Sequence, residues 1–178
     1  MDYDVFNGDA DGICALIQLR LAEPRPDATL VTGVKRDIQL LGRIPDEGVD
    51  RVTALDISFD KNREDVNRLL NAGADVFFCD HHFSGDIPDA ATLDALISPA
   101  PEVCTSALVN GRLRSAFTEW AVVGCFGDNL DTTADNLISN LSSPVDRDSL
   151  KQLGICVNYN AYGSQPEDLH FHPADLYR

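Results

Sequence analysis

Positive charge is scarce in this sequence. Lys and Arg number 14 against 29 Asp and Glu, which gives a net charge of −15 over 178 residues. Because phosphate backbones are bound by basic surfaces, this balance excludes a general duplex nucleic-acid-binding protein. A small anionic ligand would also be repelled unless a positive group, such as a metal ion, lay in its site.

Long apolar runs and cysteine motifs are also lacking. No apolar run approaches the roughly 18 residues of a membrane-spanning helix, and the N-terminus has no basic-then-apolar leader. The five cysteines are scattered and form no C-x-x-C pair, so we expect buried, reduced thiols. These absences predict a soluble, cytoplasmic protein with no membrane partner.

Apolar residues make up 44% of the chain, which is enough for a folded domain with a core. Short apolar runs predict strands over residues 3–6, 29–34, 51–55, 75–79 and 93–97. Helical stretches between them cover residues 13–21, 38–44 and 61–72. This alternation is typical of an α/β fold, here a parallel sheet of about five strands flanked by helices.

Beyond residue 100 the pattern becomes mainly helical, with predicted helices over 105–113, 117–126, 134–141 and 146–160. The last stretch, 163–178, is polar, interrupted by prolines and without an evident terminating element. A single weak linker candidate lies near Ser142. The sequence therefore predicts an α/β domain over residues 1–142 and a helical extension with a tail over 143–178.

Acidic and histidine residues follow several predicted strands. Asp9 and Asp11 come after the first strand, and Asp56 follows the third. The fourth strand leads into Asp80-His81-His82, and Asp128 closes the helix over 117–126. Because the carboxyl ends of parallel strands meet at one edge of a sheet, we expect these side chains to lie together.

Each acidic segment has a structural explanation by itself, because Asp and Gly favour turns and helix caps. Two adjacent histidines after an acid at a strand end have no common structural use. Four carboxylates at one edge would also repel each other unless cations neutralised them. Carboxylates and imidazoles without thiolates suit Mn²⁺ or Mg²⁺, with Co²⁺ or Zn²⁺ as substitutes in vitro. Two such ions roughly 3.5–4 Å apart favour phosphoester hydrolysis by a metal-activated hydroxide.

Four segments resemble the motifs of the DHH phosphoesterase superfamily, which includes RecJ-type exonucleases, nanoRNases, cyclic dinucleotide phosphodiesterases and family II inorganic pyrophosphatases. They are Asp9-Ala10-Asp11-Gly12, Leu55-Asp56, Asp80-His81-His82 and Gly127-Asp128. The segments occur in the family's order and with compatible spacing, over about residues 1–140. The resemblance implies a phosphoesterase that uses two manganese ions.

The resemblance also implies which residues would hold the metal. Asp9 would ligate the first manganese ion and Asp11 the second, with Asp56 bridging both. His81 and Asp128 would complete the second site. A hydroxide held between the ions would attack phosphorus in line.

Two further positions match residues that act beside the metals in the family. Asp80 would orient a neighbouring side chain, and His82 would face the substrate phosphate. We therefore expect Asp56, His81 and His82 to carry the catalysis.

The sequence departs from the family pattern in two places. Family members usually carry a His shortly before the first motif Asp, where this chain has Val5 and Asn7. Asn7 would offer a neutral oxygen, which is a weaker ligand than imidazole. The smaller C-terminal domain with a Gly-rich, His-containing loop that family proteins commonly append has no counterpart in these 178 residues.

The leading hypothesis is a Mn²⁺-dependent phosphoesterase acting on a nucleotide, a short oligonucleotide or a similar small phosphate compound. A catalytically weak metal- or nucleotide-binding regulatory module would account for Asn7 and for the missing domain. A haloacid dehalogenase-type phosphatase would use Asp9 as a nucleophile and Asp128 with Asp131 as a Mg²⁺ loop. That alternative leaves Asp80-His81-His82 without a role.

Three other segments have both a structural and a functional interpretation. Lys35-Arg36 follows the second strand and is interpreted first as a solvated loop pair, and second as a phosphate contact. Thr105-Ser106 is expected to cap the helix that it opens, with phosphate binding as the alternative. His170 and His172 would lie on one face of an extended segment and could then share a metal ion.

Overall fold

The computed structural model describes residues 1–178 and contains one parallel sheet. Its strands are β1 (Asp2–Phe6), β2 (Thr29–Thr32), β3 (Arg51–Leu55), β4 (Asp75–Asp80) and β5 (Leu93–Ile97). The strand order is β2-β1-β3-β4-β5, and every neighbouring pair is parallel. The predicted α/β fold with a five-stranded parallel sheet is confirmed.

Seven α-helices surround or follow the sheet. They are α1 (Ala10–Ala22), α2 (Phe59–Asn71), α3 (Thr105–Arg112), α4 (Thr118–Gly127), α5 (Asp131–Ser139), α6 (Arg147–Asn160) and α7 (Pro173–Tyr177). Helices α1 and α2 connect strands, whereas α3 to α7 follow the last strand. The mainly helical second part of the chain is therefore also as predicted.

The sheet is buried on both faces, as expected for parallel strands between helices. Successive residues of a strand point to opposite faces, and both Val5 and Phe6 of β1 are fully buried. Val5 belongs to the core cluster that contains Val66 and Leu69 of α2. Phe6 belongs to the cluster that contains Ile13 of α1. Continuous apolar runs such as Val76–Cys79 of β4 are the sequence signature of this two-sided burial.

Three adjacent strands end within one residue of each other. Phe6 of β1 pairs with Leu55 of β3, and Leu55 pairs with Cys79 of β4. The segments that follow these strands therefore begin at the same edge of the sheet. Because β2 lies on one side of β1 and β3 on the other, the direction of winding reverses here. Ligands of open α/β sheets bind in the crevice at such a reversal.

Several element boundaries differ from the sequence prediction for local reasons. Helix α1 begins at Ala10 because Asp9 caps it, and α2 begins at Phe59 because Ser58 caps it. Capping side chains thus extend both helices beyond their apolar pattern. Residues 38–44, predicted to be helical, contain only a single 3₁₀ turn over Leu41–Arg43.

The tail over residues 163–178 ends in a helix that the sequence prediction missed. Helix α7 begins with Pro173 and packs against α1 and β2. The side-chain amide of Asn160 donates to the carbonyl of Phe171 and accepts from its N–H, which ties the tail to the end of α6. Helix α6 itself packs on α4. The domain boundary at residue 142 stays a prediction.

Two sequence expectations concern features other than the fold. All five cysteines are free, and only Cys156 is exposed, as expected for reduced thiols. Among the helices, none combines the length and the apolar character that a membrane crossing requires.

Candidate metal centre

Asp9 lies at the start of α1 and accepts hydrogen bonds with both carboxylate oxygens. Its Oδ1 accepts from the backbone N–H groups of Asp11 at 3.0 Å and Gly12 at 3.1 Å, which caps the helix. Its Oδ2 accepts from the ammonium of Lys35. The capping role that Asp and Gly suggest for this segment is therefore present, and a positive side chain is bound to the same carboxylate.

Asp11 is fully buried and lies against the N-terminus of α3. Its two oxygens accept from the backbone N–H groups of Thr105 and Ser106, each at 2.7 Å. The unpaired N–H groups and the positive end of the helix dipole stabilise a carboxylate at this place. The expectation that Thr105-Ser106 caps α3 was wrong, since no side chain of that segment does so. An acid from α1 supplies the cap instead.

Asp56 follows β3 directly and is 2% exposed. Its backbone has φ of 56°, a left-handed conformation that is uncommon outside glycine. Such strained residues concentrate at functional sites. Its Oδ1 accepts from the hydroxyl of Thr105 at 3.2 Å. Burial, followed by the charges of Asp9 and Asp11, raises the pKa of Asp56 well above its ordinary value.

Asp80 is the last residue of β4 and holds the two histidines that follow it. It is fully buried, and its Oδ1 accepts from the backbone N–H of His81 at 2.9 Å. The same oxygen lies 2.7 Å from Nδ1 of His82, which donates to it because an ionised carboxylate only accepts. This hydrogen bond raises the pKa of His82, although burial opposes it.

The imidazole of His81 lies among three carboxylates that come from distant parts of the chain. Its Nε2 is 3.4 Å from Oδ1 of Asp56, 3.6 Å from Oδ2 of Asp128 and 4.0 Å from Oδ2 of Asp11. Two sets of three residues have ligand atoms within 4.8 Å of one another. One set is Asp11, His81 and Asp128, and the other is Asp56, His81 and His82.

The acids of this cluster repel one another strongly. Burial raises the pKa of Asp128 to about 6, with further increases from Asp11 and Asp9, while Lys35 and His81 act in the opposite direction. A divalent cation would remove this repulsion, since buried carboxylates need a neutralising charge. Carboxylate and imidazole donors without thiolate also fit Mn²⁺ or Mg²⁺ chemically. The residues present therefore fit a divalent metal ion.

Lys35 lies inside the site, so its interpretation as a solvated loop residue was wrong. Its Nζ donates to Asp9, to Oδ1 of Asn158 at 3.0 Å and to Oδ1 of Asp128 at 3.3 Å. Burial alone would lower the pKa of Lys35, but the charges of Asp9 and Asp128 raise it above its ordinary value. Asn7 supports this arrangement, because its Nδ2 donates to the carbonyl of Lys35 at 3.0 Å.

The site opens into a cleft of about 450 Å³. Asp9, Asp56, Asp128 and Lys35 line it, whereas Asp11 is fully buried and does not. Its polar lining consists of Asn7, Asp9, Lys35, Asp56, His81, His82 and Asp128. Its apolar rim includes residues 99–101 together with Val103 and Leu130. The cleft has the size of a site for a small ligand.

Three sequence candidates lie outside this cleft. Arg36 is exposed to solvent. His172 caps α7, because its Nδ1 accepts from the N–H of Ala174 at 3.2 Å. His170 and His172 are exposed, and neither belongs to a group of side chains that could hold a metal ion.

Comparison with solved structures shows the same fold in two RecJ proteins. A RecJ exonuclease bound to manganese superposes with a TM-score of 0.55 at 20% identity, covering 90% of this chain and 48% of that one. RecJ of Thermus thermophilus in complex with Mn²⁺ superposes with a TM-score of 0.54 at 14% identity, covering 99% of this chain and 34% of that one. No family model and no curated protein sequence matches this chain. The predicted RecJ-like resemblance is therefore confirmed for the fold, and the chain spans half or less of each RecJ protein.

Proposed function

We propose that this protein is a metal-dependent phosphoesterase. It hydrolyses a phosphodiester or phosphoanhydride bond of a nucleotide, a short oligonucleotide or a similar small phosphate compound, with Mn²⁺ as the favoured ion. The observation that carries the proposal is the approach of His81 to Asp11, Asp56 and Asp128 at the carboxyl edge of the sheet. The manganese bound by the two RecJ structures of the same fold supports the choice of ion.

Four side chains would hold the ion, namely Asp11, Asp56, His81 and Asp128. When bound there, a divalent ion supplies positive charge to a phosphoryl oxygen and lowers the pKa of a coordinated water molecule. The backbone N–H groups at the N-terminus of α3 donate hydrogen bonds to the Asp11 carboxylate and keep it in place. This fixed orientation reduces the rearrangement that ion binding requires.

His82 is the residue that we assign to the substrate. Its side chain is 43% exposed, so it is accessible from the cleft. Asp80 fixes the ring through Nδ1 and favours the charged imidazolium, which leaves the Nε2–H free to donate to a phosphate oxygen. A charge-assisted hydrogen bond of this kind orients the phosphorus for attack and stabilises the charge that develops on its oxygens.

The charge of the chain and the size of the cleft both favour a small substrate. The net charge of −15 opposes the approach of a long polyanion, whose binding would require a basic surface. The cleft of about 450 Å³ accommodates a nucleotide-sized ligand. A short oligonucleotide or a single nucleotide therefore fits better than duplex nucleic acid.

The two alternative functions differ in how well they agree with the geometry. An aspartyl nucleophile at Asp9 is disfavoured, because that carboxylate caps α1 and is bound by Lys35. A regulatory module that binds a metal without turnover is favoured by one observation. Asn7 already hydrogen-bonds the N–H of Asp9 and the carbonyl of Lys35, so it replaces the missing histidine as a structural residue.

Hydrolysis assays with a metal-binding control separate these functions. We expect hydrolysis of bis(p-nitrophenyl) phosphate or of a dinucleotide in Mn²⁺ and none in EDTA. His81→Ala should lower the rate by at least ~100-fold, because His81 belongs to both groups of side chains that could hold the ion. His170→Ala is the matched control, since this exposed histidine lies outside the site. Tight Mn²⁺ binding without turnover of any phosphate compound would favour the regulatory module, and absence of Mn²⁺ binding would refute both.

A further inference from the structure

Lys35 has the surroundings of a bound cation. Its ammonium has three hydrogens, and three side-chain oxygens accept them: those of Asp9, Asp128 and Asn158. These acceptors come from the start of α1, the end of α4 and the last turns of α6. The Lys35 side chain is 29% exposed, so most of it is enclosed by the site. Three separate elements thus converge on this one positive charge.

The remaining acids are arranged differently. Both groups of side chains that could hold an ion are centred on His81, and neither includes Asp9. Asp9 instead gives one oxygen to the helix cap and the other to Lys35. The resemblance implied that Asp9 would ligate a first metal ion together with a preceding histidine. In this chain the corresponding acid already has a positive partner.

Asn7 contributes to this arrangement from the position where the histidine is missing. Its Oδ1 accepts from the N–H of Asp9 at 3.1 Å, and its Nδ2 donates to the carbonyl of Lys35 at 3.0 Å. The Asn7 side chain is buried and connects the two loops that bring Asp9 and Lys35 together. Its atoms position the lysine rather than a metal.

We propose that the Lys35 ammonium takes the place of one of two divalent ions, so that each chain binds a single ion at Asp11, Asp56, His81 and Asp128. Lys35 lines the same cleft as Asp56, His81 and Asp128 and presents a permanent positive charge to a bound phosphate. The inference rests on the proposed function for its substrate class. The number of ions per chain, however, is measured without any turnover.

The test is the Mn²⁺ stoichiometry of the full chain, by calorimetric titration and elemental analysis, with electron paramagnetic resonance as a second readout. The parent should bind one Mn²⁺ and give the spectrum of an isolated ion. Lys35→Met removes the charge at similar length and frees Asp9, so it should bind two ions whose spectra are broadened by coupling. Lys35→Arg keeps the charge and should bind one. Lys61→Met changes an exposed lysine outside the site and is the matched control.

Each outcome bears on the inference. Two coupled ions in the parent, or one ion in a folded Lys35→Met variant, would overturn it. If Lys35→Met does not fold, the stoichiometry and spectra of the parent and of Lys35→Arg still decide. One ion without hydrolysis would refute the proposed function and leave the inference standing, whereas hydrolysis with two coupled ions would do the reverse.

Discussion

Replacing Asp56 by Asn removes a buried negative charge while preserving the shape of the side chain. We expect this change to stabilise the metal-free protein, although it removes a proposed metal ligand. Asp56 is 2% exposed, and its burial, followed by the charges of Asp9 and Asp11, disfavours its ionised form. The hydroxyl of Thr105 can donate to the amide oxygen of Asn as it does to the carboxylate. The substitution therefore removes repulsion and keeps the Thr105 hydroxyl paired.

The cost of protonating the carboxyl group sets an upper limit on the gain in unfolding free energy. An Asp in the unfolded chain has a pKa of about 3.9, so keeping it protonated at pH 7 costs about 4 kcal/mol. Any larger repulsion in the folded protein would be relieved by protonation. At an effective dielectric constant of about 20, one carboxylate roughly 4 Å away contributes about 4 kcal/mol, and more distant ones contribute less. We therefore expect a gain in unfolding free energy of about 1–4 kcal/mol at pH 7.

The pH dependence identifies the cause of this gain. Because the folded-state pKa of Asp56 is raised, the folded protein binds a proton that the unfolded chain releases above about pH 4. The stability of the parent therefore falls as pH rises from about 4 through that folded-state pKa. Asn does not titrate, so the advantage of the variant grows over the same range. Asn and Asp both tolerate a left-handed backbone such as a φ of 56°, so the substitution adds no backbone strain.

Urea unfolding in EDTA at pH 4.5 and pH 7 measures this gain and its pH dependence, and Asp89→Asn, at an exposed position, is the matched control. Saturating Mn²⁺ should stabilise the parent more than Asp56→Asn, because only the parent keeps all four proposed ligands. An equal gain at the two pH values, or no gain at pH 7, would refute the electrostatic reasoning.

Three further predictions concern residues at and beyond the site. Asp128, with a pKa of about 6 in the folded protein, should make the metal-free protein less stable by up to about 3 kcal/mol as pH rises from about 4 to 6, and Asp128→Asn should remove that decline in urea titrations. Arg20→Ala should cost about 3–5 kcal/mol of unfolding free energy, because it leaves Asp4 buried without its bidentate partner. Gly124→Ala would place a Cβ 2.1 Å from the Ser106 hydroxyl, so it should cost about 1–3 kcal/mol and weaken Mn²⁺ binding in calorimetry.

Two exposed positions serve as controls for these substitutions. Arg36→Ala should leave stability within about 0.5 kcal/mol of the parent, since the side chain is exposed. A Cβ at Gly111, in the last turn of α3, would meet nothing within 4 Å, so Gly111→Ala should be neutral or stabilising by up to about 1 kcal/mol. A stability loss in Arg36→Ala equal to that in Arg20→Ala, or in Gly111→Ala equal to that in Gly124→Ala, would contradict the proposed causes.

The sheet could be predicted from the sequence because burial on both faces leaves continuous apolar runs. Strands β3 and β5 have the predicted bounds, and parallel pairing brings the carboxyl ends of β1, β3 and β4 to the same edge. The same rule predicts that Asp56 and the segment Asp80-His81-His82 come together, because each follows one of the predicted parallel strands. Local pattern and sheet topology were therefore sufficient for this part of the site.

The other contacts of the site depend on pairs of residues far apart in the chain. Lys35 and Asn158 are 123 positions apart, and Asp11 and Thr105 are 94 apart. A lysine in a loop and an asparagine on a helix have no periodicity that indicates a partner. Helix α7 is similarly defined by its packing on α1 and β2, since five residues form no stable helix by themselves. Only the folded chain shows these contacts.

The hydrogen bonds from the start of α3 to Asp11 make the amide protons of that helix sensitive to ion binding in the cleft. The amide protons of Thr105 and Ser106 point at the Asp11 carboxylate, whose electron density would change on binding an ion. Their nuclear magnetic resonance shifts would therefore report occupancy of the cleft from a position outside it. A helix that carries no catalytic side chain would thus provide the signal by which ligands are detected.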